Sequence, residues 1–363
     1  MVTEIGPESG SRGLTEEGIV HIPGVASRWV RLGNGAKAHY VTAGDTGPAV
    51  VLLHGGINGS SGTAGFRFMA PFLGANGFRV YCPDMPAFGH ADTREEYWPK
   101  QGVLSHVEFI RDFMDALCID KAHISGNSMG CINSVQFAQA YPDRVLSFAL
   151  IAGFIGDLVG PEKYVPISEG KFTPNPNYVR PDWDGSEESM RVLMEGIIYK
   201  EGVIWPELIK MRNDAALRQR DSYDALQAAR EQVAKDPNLA QKLSTKNRFN
   251  RLTIPGIYLY GKQDVLIPVE NGWQQEDVGF ENIQFFYPDE CGHQGQSDQP
   301  EMFNQALFEF FKYGKVSKET AEWAGVSDRL PVKPTLVDLD GSVVPASAIA
   351  LKGQLGGEPV AAG

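Results

Sequence analysis

The chain has 363 residues, 42% of them hydrophobic and 21% charged, with 40 Gly and 23 Pro; this is a globular profile, and it excludes collagen, coiled coil and wholesale disorder. Lys+Arg 33 against Asp+Glu 45 gives a formal charge of -12, so the average surface repels polyanions and anionic membranes, and neither is expected as a partner. The expected partner is a small molecule, with the oligomeric state left open, a homo-oligomer included.

Residues 1–27 are polar and rich in Gly, Ser and Glu without sustained periodicity, and read as a flexible or loosely docked arm. The acidic start has no basic-then-apolar signal pattern, and no run approaches the ~18 apolar residues of a membrane span, so a soluble cytoplasmic protein is expected. Short β-rich runs follow at 28–32, 37–42, 49–53, 78–82, 121–125 and 145–151. Runs as apolar as AVVLL and SFALIA fit strands covered on both faces, and their alternation with helical stretches predicts an α/β fold built on a mostly parallel, doubly wound sheet. After Ile151 the alternation stops. Residues 155–250 are polar with helical pattern near 186–200, 205–220 and 222–246, then strands resume at 256–260 and 282–287 before a helix at about 300–312. The expected organisation is one core, 28–154 and 251–312, interrupted by a helical insertion at 155–250. Residues 313–363 read as a surface-wrapping or disordered extension.

The four cysteines, Cys82, Cys118, Cys131 and Cys291, lack CxxC or Cys/His spacing, so reduced thiols are expected rather than a disulfide framework or a metal site. No cofactor is implied. The sharpest chemical signal is Gly126-Asn127-Ser128-Met129-Gly130, a G-x-S-x-G placed between a strand-like and a helix-like run. That context is a nucleophile elbow, where small glycines let strand and helix approach and the serine projects from a strained corner. A serine hydroxyl needs a base to take its proton, and the base needs an orienting acid, in the order Ser, acid, His. Six of the seven histidines precede Ser128, which leaves His293, after the last strand and before the last helix. Asp264, in a loop after the strand GIYLY, is the expected acid; Asp157, just past an earlier strand, is its rival. The loop His54-Gly55-Gly56 follows a buried strand and lacks the spacing and lysine of a phosphate loop. Its Gly56 amide, with the Met129 amide, is the expected oxyanion hole.

These motifs, together with PDMPAFG, YPDRV, YGKQD and CGHQ, resemble the α/β-hydrolase superfamily over about residues 28–312. Within it, PDMPAFG, GNSMG and YPDRV are most similar to the meta-cleavage product hydrolases, which break carbon–carbon bonds, and to related carboxylesterases. The resemblance implies that residues 155–250 form a lid over the site and that Arg212 grips a substrate carboxylate. It also implies that Asn127 lines the polar side of the pocket, with Gly55 beside it. Trp205, Tyr199 and Phe172 in the insertion are candidates for pocket lining or for lid core.

Two departures shape the functional expectation: Gln294 stands where the family has a tryptophan after the histidine, and the loop HGGING lacks a Gly-Pro-Gly pattern. The first expectation is therefore a serine hydrolase cleaving an ester of a small aromatic or carboxylate-bearing substrate. Its alternatives are carbon–carbon bond hydrolysis of meta-cleavage-product type, a lactonase, and a non-catalytic hydrolase-fold binding protein. An epoxide hydrolase or haloalkane dehalogenase would need an aspartate at position 128.

Overall fold

A computed structural model describes residues 13–155, 175–233, 235–245 and 248–341. Its first half runs β1 (Ala26–Arg31), β2 (Lys37–Ala43), β3 (Ala49–Leu53), α1 (Gly62–Phe66), α2 (Met69–Ala75), β4 (Arg79–Pro83), α3 (Val103–Ala116), β5 (Ala122–Asn127), α4 (Met129–Ala140) and β6 (Val145–Ile151). Four helices come next, α5 (Glu187–Glu195), α6 (Pro206–Arg218), α7 (Arg220–Val233) and α8 (Pro237–Leu243). The core resumes with β7 (Gly256–Leu259), α9 (Glu270–Glu276), β8 (Ile283–Phe286), α10 (Gly295–Asp298) and α11 (Pro300–Tyr313). A short tail adds β9 (Val316–Ser317), α12 (Lys318–Trp323) and β10 (Val337–Asp338).

Eight strands form one sheet in the order β1-β2-β4-β3-β5-β6-β7-β8. β2 is antiparallel to both of its neighbours, and the strands from β4 to β8 are parallel. The apolar strand runs are buried on both faces, as the pleat requires. In β3, Ala49, Val51 and Leu53 enter the cluster that packs with α3 and α4, while Val50 and Leu52 enter the cluster that packs with α2 and α11. Each such fully buried Val or Leu side chain contributes about 1.5–3 kcal/mol relative to exposure. The sheet is therefore clamped from both sides, and its carboxyl edge is a rigid platform.

Three expectations are corrected by the structure. The helical stretch expected at 222–246 is two helices, because Pro237 cannot continue a helix and Asp236 caps the second one, accepting from the amides of Asn238 and Leu239. The described part of the arm is docked: Ile19, Val20 and Ile22 are buried in one cluster with Met190, Leu193, Leu208 and Met211 of α5 and α6. Beyond α11, Val316, Ala321, Ala324, Leu336 and Val337 are buried against α11 and the sheet, so residues 313–341 complete the core on that face. Buried Glu309 anchors them by accepting from the Ser317 amide at 2.7 Å and the Thr320 hydroxyl at 2.9 Å.

The closest approach in the core lies under the G-x-S-x-G turn. A Cβ on Gly130 would fall 1.9 Å from the Leu53 carbonyl oxygen, and one on Gly126 would fall 2.0 Å from the Gly130 carbonyl oxygen. Gly130→Ala must therefore separate α4 from β3, and is expected to destabilise the fold by at least the ~1–3 kcal/mol typical of overpacking. Urea unfolding checks this, and an unchanged midpoint would contradict so close a packing.

Candidate active site

β5 ends at Asn127 and α4 begins at Met129, so Ser128 carries the whole reversal of direction by itself. Its φ is 56° and its ψ is -115°, a left-handed conformation that a non-glycine residue holds only when the surroundings enforce it. The enforcing contacts are the Ser128 amide donating to the Ile151 carbonyl at 2.9 Å and the glycine-to-backbone approaches at both ends of the turn. Ser128 is consequently lifted off the sheet at the N-terminus of α4, where unpaired amides and the helix dipole favour negative charge.

The loops after β7 and β8 bring the next two residues together. His293 Nδ1 and Asp264 Oδ2 are 2.7 Å apart, with both side chains almost fully buried. The other carboxylate oxygen of Asp264 accepts from the Leu266 and Ile267 amides at 3.0 and 2.9 Å. With both oxygens engaged, the carboxylate holds the imidazole with Nδ1 as donor and Nε2 as the free base. His293 Nε2 is buried and has no hydrogen-bond partner. The two loops are themselves laced together, since the Gln263 amide donates to the Cys291 carbonyl at 2.9 Å and the Cys291 amide donates to Gln263 Oε1 at 3.0 Å. Asp157, the rival acid, and Phe172 lie outside the described residues.

The HGG loop lies beside Ser128 and Met129. A Cβ on Gly55 would lie 3.6 Å from Ser128 Cβ, and a Cβ on Gly56 would lie 2.8 Å from both Cβ and Sδ of Met129. The loop is fixed from below by His54, whose Nδ1 is 2.7 Å from the Gly55 carbonyl and whose Nε2 accepts from the Met85 amide at 2.9 Å. Burial drives the His54 imidazole down to about 4, so it is neutral and its tautomer is set by these two partners. His54 is thus a brace for the loop.

Asn127 sits differently from the expectation that it lines the pocket. Its amide nitrogen donates to the His293 carbonyl at 3.0 Å and to the Ile151 carbonyl at 3.3 Å, so it ties the residue before the serine to the histidine backbone. Its Oδ1 is buried without a partner and faces Gly55.

Arg212 of α6 is 1% exposed, with its backbone against Gly59 of the loop after β3. Its Nε and Nη2 have no hydrogen-bond partner, and no ion pair to it exists among the described residues. Burial pulls the guanidinium down to about 9, which leaves it cationic at neutral pH. Two further cations escaped the sequence reading. Arg67 of the loop between α1 and α2 is buried and donates to the carbonyls of Ala64 and Val203 and to Ser297 Oγ, at 2.8, 2.9 and 3.1 Å. Arg230 of α7 brings Nη2 to 3.0 Å from where a Gly56 Cβ would stand. Neither has a local sequence signal, because each becomes special only when the insertion folds back over the core. Trp205 is lid core, edge-on to Phe68 with ring centroids 5.5 Å apart, and Tyr199 is half exposed.

Among the described residues one cluster has the side chains to hold a metal ion, His39, Asp84 and His90. Asp84 Oδ2 already lies 2.8 Å from His39 Nδ1 and accepts from the His90 amide at 2.7 Å, while Oδ1 accepts from the Gly62 amide at 2.8 Å. Burial raises this carboxyl, but the charge and hydrogen bond of His39 outweigh it and hold it at about 2. Asp84 is a hydrogen-bond hub that fixes the loop after β4 to α1. The cysteines are free, and no helix among the described residues is long and apolar enough to cross a membrane.

Comparison with known proteins agrees with this architecture. The α/β hydrolase fold family matches residues 48–178. The 2-hydroxy-6-oxononadienedioate/2-hydroxy-6-oxononatrienedioate hydrolase of Paraburkholderia phymatum is 29% identical over 80% of this chain and 98% of its own length. The enzyme of the same name from Cupriavidus pinatubonensis is 30% identical over 78% of this chain and 94% of its own. The crystal structure of the meta-cleavage product hydrolase from Pseudomonas fluorescens superposes with a TM-score of 0.57, at 25% identity, covering 79% of this chain and 98% of that one. The chain belongs to the α/β-hydrolase family, as a serine hydrolase whose relatives are meta-cleavage product hydrolases.

Proposed function

We propose that the enzyme hydrolyses a carbon–carbon bond in a vinylogous 1,5-diketone that carries a carboxylate. Arg212 is the observation that carries this reading. A guanidinium buried in the lid region with unpartnered donors costs several kcal/mol unless an anion meets it, and a bidentate carboxylate is the anion its planar fork matches. The relatives named for dienedioate substrates point the same way. The expectation of ester cleavage, drawn from Gln294 and from the HGGING loop, yields to it; ester and lactone hydrolysis would use the same Ser128, His293 and Asp264.

In the proposed reaction the dienol substrate first moves a proton to carbon, so that the leaving carbon can depart as a stabilised enolate. His293 Nε2 takes the Ser128 proton as Oγ attacks the ketone carbon, and Asp264 stabilises the imidazolium through Nδ1. The Gly56 and Met129 amides receive the charge that develops on the ketone oxygen. As the carbon–carbon bond breaks, its electron pair passes into the enolate of the carboxylate-bearing fragment, and the imidazolium returns a proton to that fragment. Water, deprotonated by His293, then attacks the acyl-Ser128 ester and releases the second fragment as a carboxylic acid. Arg230, against Gly56 at the acyl side, would meet a second carboxylate on that fragment, as a dienedioate provides.

The purified enzyme is expected to show a higher kcat/KM on a nonadienedioate or phenyl-hexadienoate substrate than on p-nitrophenyl esters, monoalkyl phthalates or lactones; the reverse ranking would restore the ester reading. Ser128→Ala should abolish both turnover and labelling by a fluorophosphonate probe. Arg212→Ala should lower kcat/KM about 10- to 100-fold, the equivalent of about 1.5–3 kcal/mol of charge-assisted hydrogen bonding, on both carbon–carbon substrates, and an unchanged value would remove it from the site. Arg230→Ala should weaken the dienedioate selectively, by about tenfold relative to the phenyl substrate, and equal losses on the two would refute its contact with the distal carboxylate.

A further inference from the structure

The lid rejoins the core through residues 197–203, between α5 and α6, and this segment lies on the loop that carries His293. A Cβ on Gly292 would stand 3.1 Å from the Ile197 carbonyl oxygen and 3.2 Å from the Tyr199 nitrogen. One side chain bridges the two. Asp298, at the end of α10 and 1% exposed, accepts from the Tyr199 and Lys200 amides through Oδ1 at 2.9 and 3.0 Å. Through Oδ2 it accepts from the Gly292 amide, one residue before the histidine, at 2.8 Å. We propose that Asp298 is a positioning residue that sets the lid and His293 at a fixed separation by holding the backbones of both on one buried carboxylate. The inference rests on the Ser128, His293 and Asp264 reading above.

Several observations support this. All three hydrogen bonds are to backbone, so their geometry does not depend on which side chains the lid presents. Among the described residues the carboxylate makes no ion pair; it is buried against these three amides, and such a group is retained only where its partners are fixed. Burial raises its carboxyl to about 6, with the Lys200, Gly292 and Tyr199 amides and the nearby Arg67 pulling it back. Arg67 repeats the arrangement with opposite sign, since it joins the Val203 carbonyl of the same lid segment to Ala64 and to Ser297, the neighbour of Asp298. The lid root is thus held by an anion that grips its amides and a cation that grips its carbonyl. Both grips reach elements that carry the site, the histidine loop on one side and α1, beside the HGG loop, on the other.

The test compares wild type, Asp298→Asn and Asp298→Ala by three readouts. These are hydrogen exchange at the Tyr199, Lys200 and Gly292 amides, the rate of Ser128 labelling by a fluorophosphonate probe, and kcat with KM on the best substrate. In Asp298→Ala, exchange should rise at all three amides, and labelling and kcat should fall together by about tenfold or more, as expected when a base is displaced by a fraction of an ångström. Asp298→Asn is isosteric, keeps one acceptor oxygen and should lie between the two. Wild-type labelling rates in a folded variant, or a loss carried entirely by KM, would overturn the placement of His293 by this residue. Faster exchange at Gly292 alone would overturn the link to the lid. If Asp298→Ala does not fold, the asparagine variant decides by the same criteria. A wild-type protein that fails to label would instead count against the triad.

Discussion

The Ser128 half of the candidate active site depends on how closely α4 lies against the carboxyl ends of β3 and β5. With a side chain excluded at positions 126 and 130 by backbone oxygens 2.0 and 1.9 Å from where a Cβ would stand, the chain can turn between strand and helix within the single residue Ser128. That turn is strained, with φ at 56°, and the sheet maintains it because both faces of the strands are buried and cannot yield locally. The same compression brings the HGG loop beside the serine: β3 is the neighbour of β5, so the residues after Leu53 emerge next to those after Gly126. The serine, the helix N-terminus and the oxyanion loop are therefore consequences of one packing arrangement.

The acid–base half of the site is built by a different means. Asp264 and His293 come from the loops after β7 and β8, and their 2.7 Å contact is secured by hydrogen bonds within and between these loops and by Gly261, where a Cβ would fall 2.4 Å from the Cys291 carbonyl oxygen. Asn127 joins the two halves, because its amide reaches the His293 carbonyl from the last residue of β5. His54 and Asp84 act similarly at lower levels, each neutralised or ionised by burial and partners so that its hydrogen-bonding role is fixed across neutral pH. The polar residues surrounding Ser128 mostly hold backbone in place.

Most of the sheet was legible in the sequence because a buried parallel strand has an unmistakable composition; AVVLL and VLSFALI needed no tertiary information. The strand-to-helix turn at Ser128 and the pairing of His293 with Asp264 were legible for a related reason: the fold places these residues at strand ends in a fixed order, so motif and position agree. The rest was not legible because it depends on contacts between distant segments. Nothing in DFMDALC or KMRND marks one helix as core and the other as lid, and only the folded insertion shows that Arg212 is buried while Arg191 of α5 lies on the surface in ion pairs with Glu188 and Glu195. The break at Asp236-Pro237 was readable as a cap and a stop, but the helical periodicity on both sides obscured it. The docking of Ile19, Val20 and Ile22 was hidden by the polar residues that flank them.

The charge distribution gives this arrangement its functional sense. A surface carrying a net -12 does not draw an anionic substrate from a distance, and at physiological salt its field fades within about 8 Å. Selectivity for a carboxylate must then arise after the substrate has entered, from cations held away from water where each interaction is strong. Arg212 meets that condition because it is buried with Nε and Nη2 unpaired, whereas both terminal nitrogens of Arg67 are engaged by the carbonyls of Ala64 and Val203 and by Ser297, leaving only its Nε unpartnered. Burial pulls the Arg67 guanidinium down to about 9, and repulsion from the Arg212 charge adds to that lowering. On the proposed reading, a substrate carboxylate at Arg212 would offset the repulsion between the two guanidiniums. Under that proposal the binding energy so gained would be available for transition-state stabilisation at Ser128 and His293, and an otherwise similar neutral ester would forgo it.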